Sequence, residues 1–276
     1  MKLRAFPLMM FMILLLSGFA SARQTDSTDT TSASSEPVGT EGLGEGMTAK
    51  EMIDYYMDLA RGETSHGVME MQVVTPDWDR MITMEWWEKG EERFLIRVLS
   101  PARDRGNGTL KIENNLWNYI FAFDETVHIP PAMMMQSWMG SDFTNDDVVR
   151  DASLVNDYEH ELEGIEEIDG IRCYSILMTA DPSTPVPWLT IRTFLRTEDL
   201  LPVRQEYYDD DGGLARYMIF SDFDFLYDRV IPTTMRMVPL DKEGHYTEMR
   251  YIEAEFDIEI PDDMFTLPTL ENPDNI

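Results

Sequence analysis

The feature that most constrains the fold is a long succession of short segments in which apolar and polar residues alternate. Alternation places every second side chain on one face of a β-strand, so each segment is predicted to be a strand. Turn signals such as Asp169-Gly170 and Lys242-Glu243-Gly244 separate the segments and are typical of hairpin connections. The predicted strands are 69–73, 82–86, 94–98, 110–112, 116–121, 171–180, 188–196, 202–208, 215–225, 231–238 and 246–260.

These predicted strands, about eleven in number, follow one another without regularly interleaved helices. That order excludes a doubly wound α/β fold, in which helices alternate with parallel strands. It predicts a mainly β fold with one large antiparallel sheet, curved or closed. Large side chains occupy consecutive positions in Trp86-Trp87 and in the run from Leu116 to Phe121. Both faces of the sheet are therefore expected to be covered, since a one-sided sheet shows polar residues on its second face.

One helix is predicted ahead of the strands. Thr48 and Glu51 have the spacing of a capping box at a helix N-terminus. Apolar residues then recur at helical spacing, beginning with Met52 and Ile53, until Gly62 ends the pattern.

The N-terminus has the composition of a secretory signal. Lys2 and Arg4 precede an apolar run from Leu8 to Leu16, and Ala20-Ser21-Ala22 is a small-residue cleavage site. Cleavage is predicted after Ala22, which makes 1–22 a signal peptide and a bacterial periplasm the expected destination. Residues 23–46 are rich in Ser, Thr, Gly and acidic residues and are predicted to be a disordered leader. A single domain is predicted over 47–276.

The composition of the chain argues against several classes of function. It carries 52 acidic and 22 basic residues, a formal net charge of −30, so nucleic acid and anionic membrane surfaces are disfavoured as partners. The four histidines are scattered and Cys173 is the single cysteine, so no metal site and no internal disulfide are predicted. No nucleophile elbow, phosphate loop or zinc-protease motif occurs, and the chain is predicted to be a non-enzymatic protein without a cofactor.

The segment from Ile129 to Asp147 is the most informative for function. It places four methionines and one tryptophan within the seven residues Met133–Met139, followed by an acidic, hydroxyl-rich stretch from Gly140. Methionine is flexible and polarizable, which suits a surface that fits apolar ligands of variable shape. The Pro130-Pro131 start and the Gly140 end predict a short helix. Composition alone leaves two interpretations open, an irregular core filled by methionine, which it favours, or the lining of a binding site.

Two stretches of the sequence carry a family resemblance. The first runs from Arg105 through Gly106-Asn107-Gly108-Thr109-Leu110 to Ile120, and the second runs from Ile129 to Asp147. The most specific part of the second is Gln136-Ser137-Trp138-Met139-Gly140-Ser141-Asp142-Phe143-Thr144-Asn145-Asp146-Asp147. With the ending Asp262-Asp263-Met264-Phe265-Thr266, they resemble the outer-membrane lipoprotein-sorting proteins, relatives of the LolA and LolB carriers. The resemblance covers roughly residues 48–266.

The resemblance implies both a fold and a role. The fold is an incomplete antiparallel β-barrel with short helices packed in its opening and an apolar cavity inside. The role is to hold the acyl chains of a lipoprotein or lipid while it is carried through the periplasm toward the outer membrane. A methionine-rich helix acting as a movable lid fits that role, because methionine repacks at small cost. The residues predicted to bind lipid are Met133, Met134, Met135, Trp138 and Met139 in the lid, and Trp86, Trp117, Tyr119 and Phe121 on the sheet.

Two further expectations concern partners. Arg97 and Arg105 are candidates for contact with a lipid head group, with salt bridges inside so acidic a protein as the competing interpretation. An inner-membrane RND-type transporter and an outer-membrane acceptor are expected partners of such a carrier. The alternative function is an accessory subunit that docks on an RND-type exporter through the same apolar patch and carries nothing.

Overall fold

The computed structural model describes residues 42–150, 154–184 and 186–272. The predicted signal peptide and residues 23–41 of the predicted leader lie outside the described residues, so these two assignments stay predictions. Residues 42–46, also assigned to the leader, form a turn in which the amide of Leu43 donates to the carbonyl oxygen of Thr197 at 3.1 Å. This short stretch therefore lies against the loop that follows a strand.

The described residues form three helices, several 3₁₀ turns and one large sheet. The helices are α1 (Ala49–Arg61), α2 (Asn145–Arg150) and α3 (Leu267–Glu271), and 3₁₀ turns lie at Phe121–Phe123, Pro131–Met133 and Asp262–Met264. The strands are β1 (Thr64–Val74), β2 (Asp79–Lys89), β3 (Arg93–Ser100), β4 (Gly108–Ile112), β5 (Asn115–Ile120), β6 (Glu125–Ile129), β7 (Tyr158–Ile168), β8 (Ile171–Ala180), β9 (Thr190–Arg196), β10 (Pro202–Tyr208), β11 (Leu214–Leu226), β12 (Arg229–Pro239) and β13 (Tyr246–Phe256).

All 13 strands belong to one antiparallel sheet with the order β6-β5-β4-β3-β2-β1-β13-β12-β11-β10-β9-β8-β7. The chain enters at the middle of the sheet, because β1 pairs with both β2 and β13. It runs outward through hairpins to β6 at one edge, crosses to β7 at the other edge, and returns to β13. The two edges do not pair, so the sheet is an open, incomplete barrel, and the predicted fold class is confirmed.

The prediction of about eleven strands missed the two edge strands, β6 and β7. Strand β6 has only five residues and strand β7 is dominated by exposed glutamates, such as Glu159 and Glu161. An edge strand has one neighbour and little to bury, so its apolar alternation is weak. Charges at an edge also discourage pairing with another chain, which explains the acidic composition of β7.

Helix α1 forms as its sequence predicts. The Glu51 amide donates to Thr48 Oγ1 at 3.3 Å and the Thr48 amide donates to Glu51 Oε2 at 2.7 Å, which completes the capping box. These hydrogen bonds to Thr48 lower the pKa of the Glu51 carboxyl. Met52 and Ile53, each 1% exposed, pack the helix into the main hydrophobic cluster on one face of the sheet.

Both faces of the sheet are covered, as the consecutive large residues predicted. Trp86 belongs to the main cluster, together with α1. Its neighbour Trp87 belongs to a second cluster, together with Leu95, Leu110 and Leu270 of α3. Because neighbouring residues of a strand point to opposite faces, the Trp86-Trp87 pair supplies one large ring to each cluster.

The prediction for the last strand is wrong in two respects. Strand β13 ends at Phe256 rather than at Ile260, and a bulge interrupts its alternation. Val68 pairs with Glu253 and the next residue of β1, Met69, pairs with Tyr251, which leaves Ile252 as the extra residue. Ile252 is consequently turned outward and is 42% exposed, whereas Ala254 and Phe256, two and four residues later, are buried.

Candidate functional site

Residues 130–150 and 154–157, which we call the crossover segment, lie in the chain between the two edge strands, β6 and β7. The predicted helix between Pro130 and Gly140 is wrong: after the 3₁₀ turn Pro131–Met133 the chain bends back on itself. Ser137 and Thr144 form an isolated antiparallel bridge, and the Trp138 amide donates to the carbonyl oxygen of Phe143 at 2.8 Å. The turn requires positive φ angles, 50° at Met139 and 73° at Gly140, which a helix does not allow.

The later part of the segment forms a helix, α2. The Thr144 amide donates to Asp147 Oδ2 at 2.7 Å and the Asp147 amide donates to Thr144 Oγ1 at 3.1 Å. This reciprocal pair caps the N-terminus and positions Asp146 and Asp147 in the first turn.

Trp138 is the most deeply buried large side chain of the crossover segment. It is 1% exposed, it belongs to the main cluster, and its indole Nε1 donates to Thr109 Oγ1 on β4 at 3.2 Å. The bend between Ser137 and Thr144 thus inserts one large ring against the sheet.

Polar contacts attach the same bend to strands near the middle of the sheet. The Asp142 amide donates to Thr247 Oγ1 at 2.9 Å, and the Thr247 hydroxyl donates to Asp142 Oδ2 at 2.8 Å. Lys242 lies 3.7 Å from Asp142, and Arg80 donates to the carbonyl oxygen of Met139. The segment is therefore held on β2 and β13 by hydrogen bonds and ion pairs as well as by Trp138.

The strongest of these attachments is the ion pair between Asp147 and Arg216 of β11. The two guanidinium nitrogens Nη1 and Nη2 donate to the carboxylate at 2.8 and 2.5 Å, and the Arg216 side chain is 6% exposed. Its Cζ lies 4.7 Å from the Trp188 ring centroid and 4.4 Å from that of Tyr207. Burial acts to lower the pKa of Arg216, but Asp147, together with Tyr207 and Asp146, outweighs burial, so the pKa lies above the usual value.

A cavity of about 220 Å³ lies between the crossover segment and the sheet. Its middle is lined by five methionines that we call the wall methionines: Met69 on β1, Met218 on β11, Met235 and Met237 on β12, and Met249 on β13. Aromatic and aliphatic side chains complete the apolar lining: Trp86, Phe94, Ile96, Trp138, Phe143, Val148, Leu154, Tyr158, Val186, Pro187, Trp188, Ile191, Tyr207 and Tyr251.

Charged residues lie at one side of the cavity lining, on α1, β2 and β4. Arg61 Nε donates to Glu88 Oε1 at 2.9 Å, and Lys111 Nζ donates to the carbonyl oxygen of Glu91 at 2.7 Å. Asp146 and Asp147 of α2 complete the charged lining. The lining is thus apolar along the methionine strands and also contains five charged residues, of which Arg61 and Glu88 pair with each other and Asp147 pairs with Arg216.

Two of the nine predicted lipid-binding residues, Trp86 and Trp138, line this cavity. Met133 and Met134 pack instead against Leu116, Ile129 and other residues of a separate small cluster. Met135 is 52% exposed, and Met139 packs at the margin of the main cluster without lining the cavity. The consecutive methionines therefore cover an edge of the sheet.

The other three predicted aromatic residues lie away from the cavity. Trp117 and Tyr119 pack in the cluster under α3, and Phe121 is 51% exposed in the turn after β5. Trp117 and Tyr119 are two residues apart in β5, so their side chains lie on the same face of the sheet. That face is the one opposite to the crossover segment.

The two head-group candidates, Arg97 and Arg105, lie in different surroundings. Arg97 is buried, and its Nη1 and Nη2 donate to the carbonyl oxygens of Leu270 and Thr269, each at 2.7 Å, at the end of α3. Burial lowers the pKa of Arg97. Arg105 is exposed in the loop between β3 and β4. Neither lies in the cavity lining, so contact with a head group remains a prediction for both.

The wall methionines were missed because the prediction rested on the local density of methionine in the sequence. They are dispersed over four strands, and each occupies an inward position in an alternating run. The signal was present in the sequence: inward-facing methionines recur in strands that lie far apart along the chain but meet in an antiparallel meander.

Other chemistry finds little support in the part of the chain that the structure describes. No three His, Cys, Asp or Glu side chains converge there as metal ligands. Cys173 is buried, and burial raises the pKa of its thiol to about 11, so the reactive thiolate is disfavoured. Among the described residues, no helix has the length and apolar character needed to cross a bilayer.

Comparison with known proteins supports one fold. Residues 90–272 match a family model described as an uncharacterized, DUF1329-like protein. A DUF1329 family protein from Desulfovibrio piger has 22% identity and a TM-score of 0.74, with 80% of this chain and 97% of that chain covered. No curated protein matches the sequence.

Two further solved structures are similar. A LolA superfamily protein from Nitrosomonas europaea has 20% identity and a TM-score of 0.68 over 80% of this chain and 99% of its own. A domain from Vibrio parahaemolyticus, named as an outer membrane lipoprotein-sorting protein domain, has 17% identity and a TM-score of 0.69 over 81% of this chain and 98% of its own. At these identities the likeness establishes the LolA-like fold.

Proposed function

This chain belongs to the DUF1329-like family, and we propose that it is a carrier that holds the acyl chains of a lipid or lipoprotein in its cavity. The observation that carries the proposal is the position of the wall methionines, which line a cavity beneath a polar-anchored segment. A cavity with this lining offers an acyl chain flexible apolar contacts and offers a reacting group no convergent nucleophile. The fold family is non-enzymatic in general, which supports the same conclusion.

The energetics suit a carrier. Burying one CH₂ group gains about 0.8 kcal/mol, so one long acyl chain gains on the order of 10 kcal/mol. A carrier must also release its cargo, which requires an open state whose free energy lies close to that of the closed state. Hydrogen bonds and ion pairs that can be exchanged with water, such as Asp142–Thr247 and Asp147–Arg216, give the crossover segment such a closure.

The size of the cavity implies rearrangement on binding. Its volume of about 220 Å³ is below the roughly 300–1,000 Å³ of typical ligand pockets. A long acyl chain therefore needs the wall methionines to change rotamer and Trp138 to withdraw. Methionine has three rotatable side-chain bonds, so the wall adapts at lower cost than leucine or phenylalanine would.

The proposed setting is the periplasm. A chain exported by the predicted signal peptide would collect cargo at the inner membrane and deliver it to an outer-membrane acceptor. An RND-type transporter is the proposed donor. The supporting observation is the likeness in fold to a lipoprotein-sorting domain, which covers 81% of this chain.

Mass spectrometry of the native, exported protein tests the carrier directly. We expect lipid to co-purify at near one-to-one occupancy and to be displaced by a fluorescent acyl probe. Met235→Asp places a carboxylate in the cavity wall and is expected to weaken probe binding by at least about tenfold, because an unpaired charge in an apolar site is costly. Met135→Asp changes the same residue type on the exposed crossover surface and should bind as the wild type does.

Circular dichroism and urea unfolding establish that both variants are folded. A folded wild-type protein that is purified empty and takes up no probe would contradict the carrier. That result would favour the alternative, an accessory subunit that docks on an RND-type exporter. Equal probe binding by the two aspartate variants would place the acyl site away from the wall methionines.

A further inference from the structure

Four buried polar atoms lie beside the end of the cavity formed by β9, β10 and β11. They are Arg216 Nε, Trp188 Nε1, Gln205 Nε2 and Thr193 Oγ1, and each lacks a hydrogen-bond partner among the described residues. Arg216, Gln205 and Thr193 are 5%, 2% and 1% exposed. Buried polar groups are nearly always hydrogen-bonded, so several such atoms in one place indicate a site that a bound group completes.

The four side chains form one neighbourhood. Arg216 stacks on the rings of Trp188 and Tyr207, and both rings line the cavity. The Tyr207 hydroxyl donates to Gln205 Oε1 at 3.3 Å, which leaves the amide nitrogen of Gln205 as its second polar atom. Gln205 pairs with Thr193 across β10 and β9, and with Met218 across β10 and β11. The cluster therefore adjoins the wall methionines.

The chemistry of the cluster selects an acceptor. Three of the four atoms are N–H groups, which donate and cannot accept, and the hydroxyl can donate as well. A ligand that fits must therefore bring oxygen lone pairs. Its charge is also constrained, since Asp147 already neutralises Arg216 through two hydrogen bonds and Asp146 lies in the same helix turn. A second full negative charge would be repelled, so a neutral acceptor is favoured.

We propose that this end of the cavity binds the ester carbonyl of an acyl ester, with the hydrocarbon chain lying along the wall methionines toward Trp86 and Trp138. The inference rests on the proposed carrier function and specifies its ligand as an esterified acyl chain rather than a free fatty acid. The ester carbonyl is a neutral acceptor joined directly to an apolar chain. The carbonyl therefore matches the buried donors at one end of the cavity, and the hydrocarbon chain matches the wall methionines next to them.

Displacement of a fluorescent acyl probe by methyl laurate, laurate and dodecane tests the ligand class. We expect methyl laurate to compete at least about tenfold better than dodecane, since one hydrogen bond to a charged donor in a buried site supplies that factor. Laurate is expected to compete no better than methyl laurate at neutral pH. Laurate that competes much better than methyl laurate would overturn the choice of a neutral acceptor.

Two variants test the donors. Gln205→Met removes an N–H donor with little change in side-chain volume, and Trp188→Phe removes one while keeping an aromatic ring. Each should lower the preference for methyl laurate over dodecane several-fold. Met135→Leu, outside the cavity, should keep that preference. Urea unfolding establishes that each variant is folded.

The outcomes separate the two proposals. A wild-type protein that binds dodecane as well as methyl laurate, or a preference untouched by both donor variants, overturns the ester site and leaves the carrier intact, with the cluster serving structural water only. A protein that binds none of the three compounds overturns the carrier itself.

Discussion

The two groups of methionines in this protein behave in opposite ways. Met133–Met135 are consecutive in the sequence, yet they cover an edge of the sheet or face solvent. The wall methionines are dispersed over four strands, yet they meet around one cavity. In a meandering sheet, strand parity and strand order therefore decide which residues share a surface. Local density within a loop carries less information.

The two groups also differ in how they are held. The wall methionines lie on hydrogen-bonded strands and stay in place through packing. The crossover segment is attached by polar contacts at Asp142 and Asp147 and by one deeply buried ring, Trp138. This division suits the proposed carrier, in which the wall supplies affinity and the attachment supplies a means of release.

Arg216→Met tests the attachment and has the largest expected effect. It leaves the Asp147 carboxylate without its partner in a largely buried position, which costs about 3–5 kcal/mol in the free energy of unfolding. Urea denaturation measures the loss. Arg236→Met makes the same change in an exposed pair with Glu248 and should cost less than about 1 kcal/mol.

A loss at Arg216 no larger than that at Arg236 would mean that the Asp147–Arg216 pair adds little to the attachment of the crossover segment, which Trp138 and the contacts at Asp142 would then hold. Adding Asp147→Asn to Arg216→Met should recover part of the loss, because it removes the unpaired charge. No recovery in the double variant would assign the effect to the lost stacking on Trp188 and Tyr207 instead.

Met237→Ala tests the wall. Met237 is 1% exposed and packs in the main cluster, so truncation leaves a cavity and costs about 2–5 kcal/mol. Met135→Ala, at a position that is 52% exposed, should change stability by less than about 0.5 kcal/mol. Equal losses at the two sites, measured by urea denaturation, would erase the difference between the two groups.

The sequence was sufficient for most of the fold. Helix α1 follows from Thr48, Glu51 and Gly62, and the central strands follow from their alternation and turns. Two kinds of feature could not be predicted from the sequence. The edge strands β6 and β7 bury too little to alternate clearly, and the bulge at Ile252 depends on pairing with β1. Both are consequences of neighbours that a local pattern does not contain.

The site was less predictable than the fold. Trp138 was predicted as part of a methionine-rich lid, and it lines the cavity from a bend rather than from a helix. Trp117 was assigned to the cavity and lies on the far face, since the sequence gives the alternation of a strand but not which parity faces inward. The face of the sheet that lines the cavity is the face that the crossover segment covers. The path of that segment from one edge to the other depends on the strand order of the whole sheet.

Oxidation by dilute peroxide compares the exposure of Met135 with that of the wall methionines and has the smallest expected effect. Met135 is expected to be oxidised first, followed slowly by the wall methionines, because sulfoxide formation requires access to the sulfur. Bound acyl ligand should slow oxidation of Met218, Met235 and Met249 and leave Met135 unaffected, as measured by peptide mass spectrometry. Sulfoxide at Met135 alone should shift the unfolding free energy by less than about 0.5 kcal/mol. Ligand protection of Met135 with no protection of the wall would reverse the assignment and make the crossover methionines the acyl site after all.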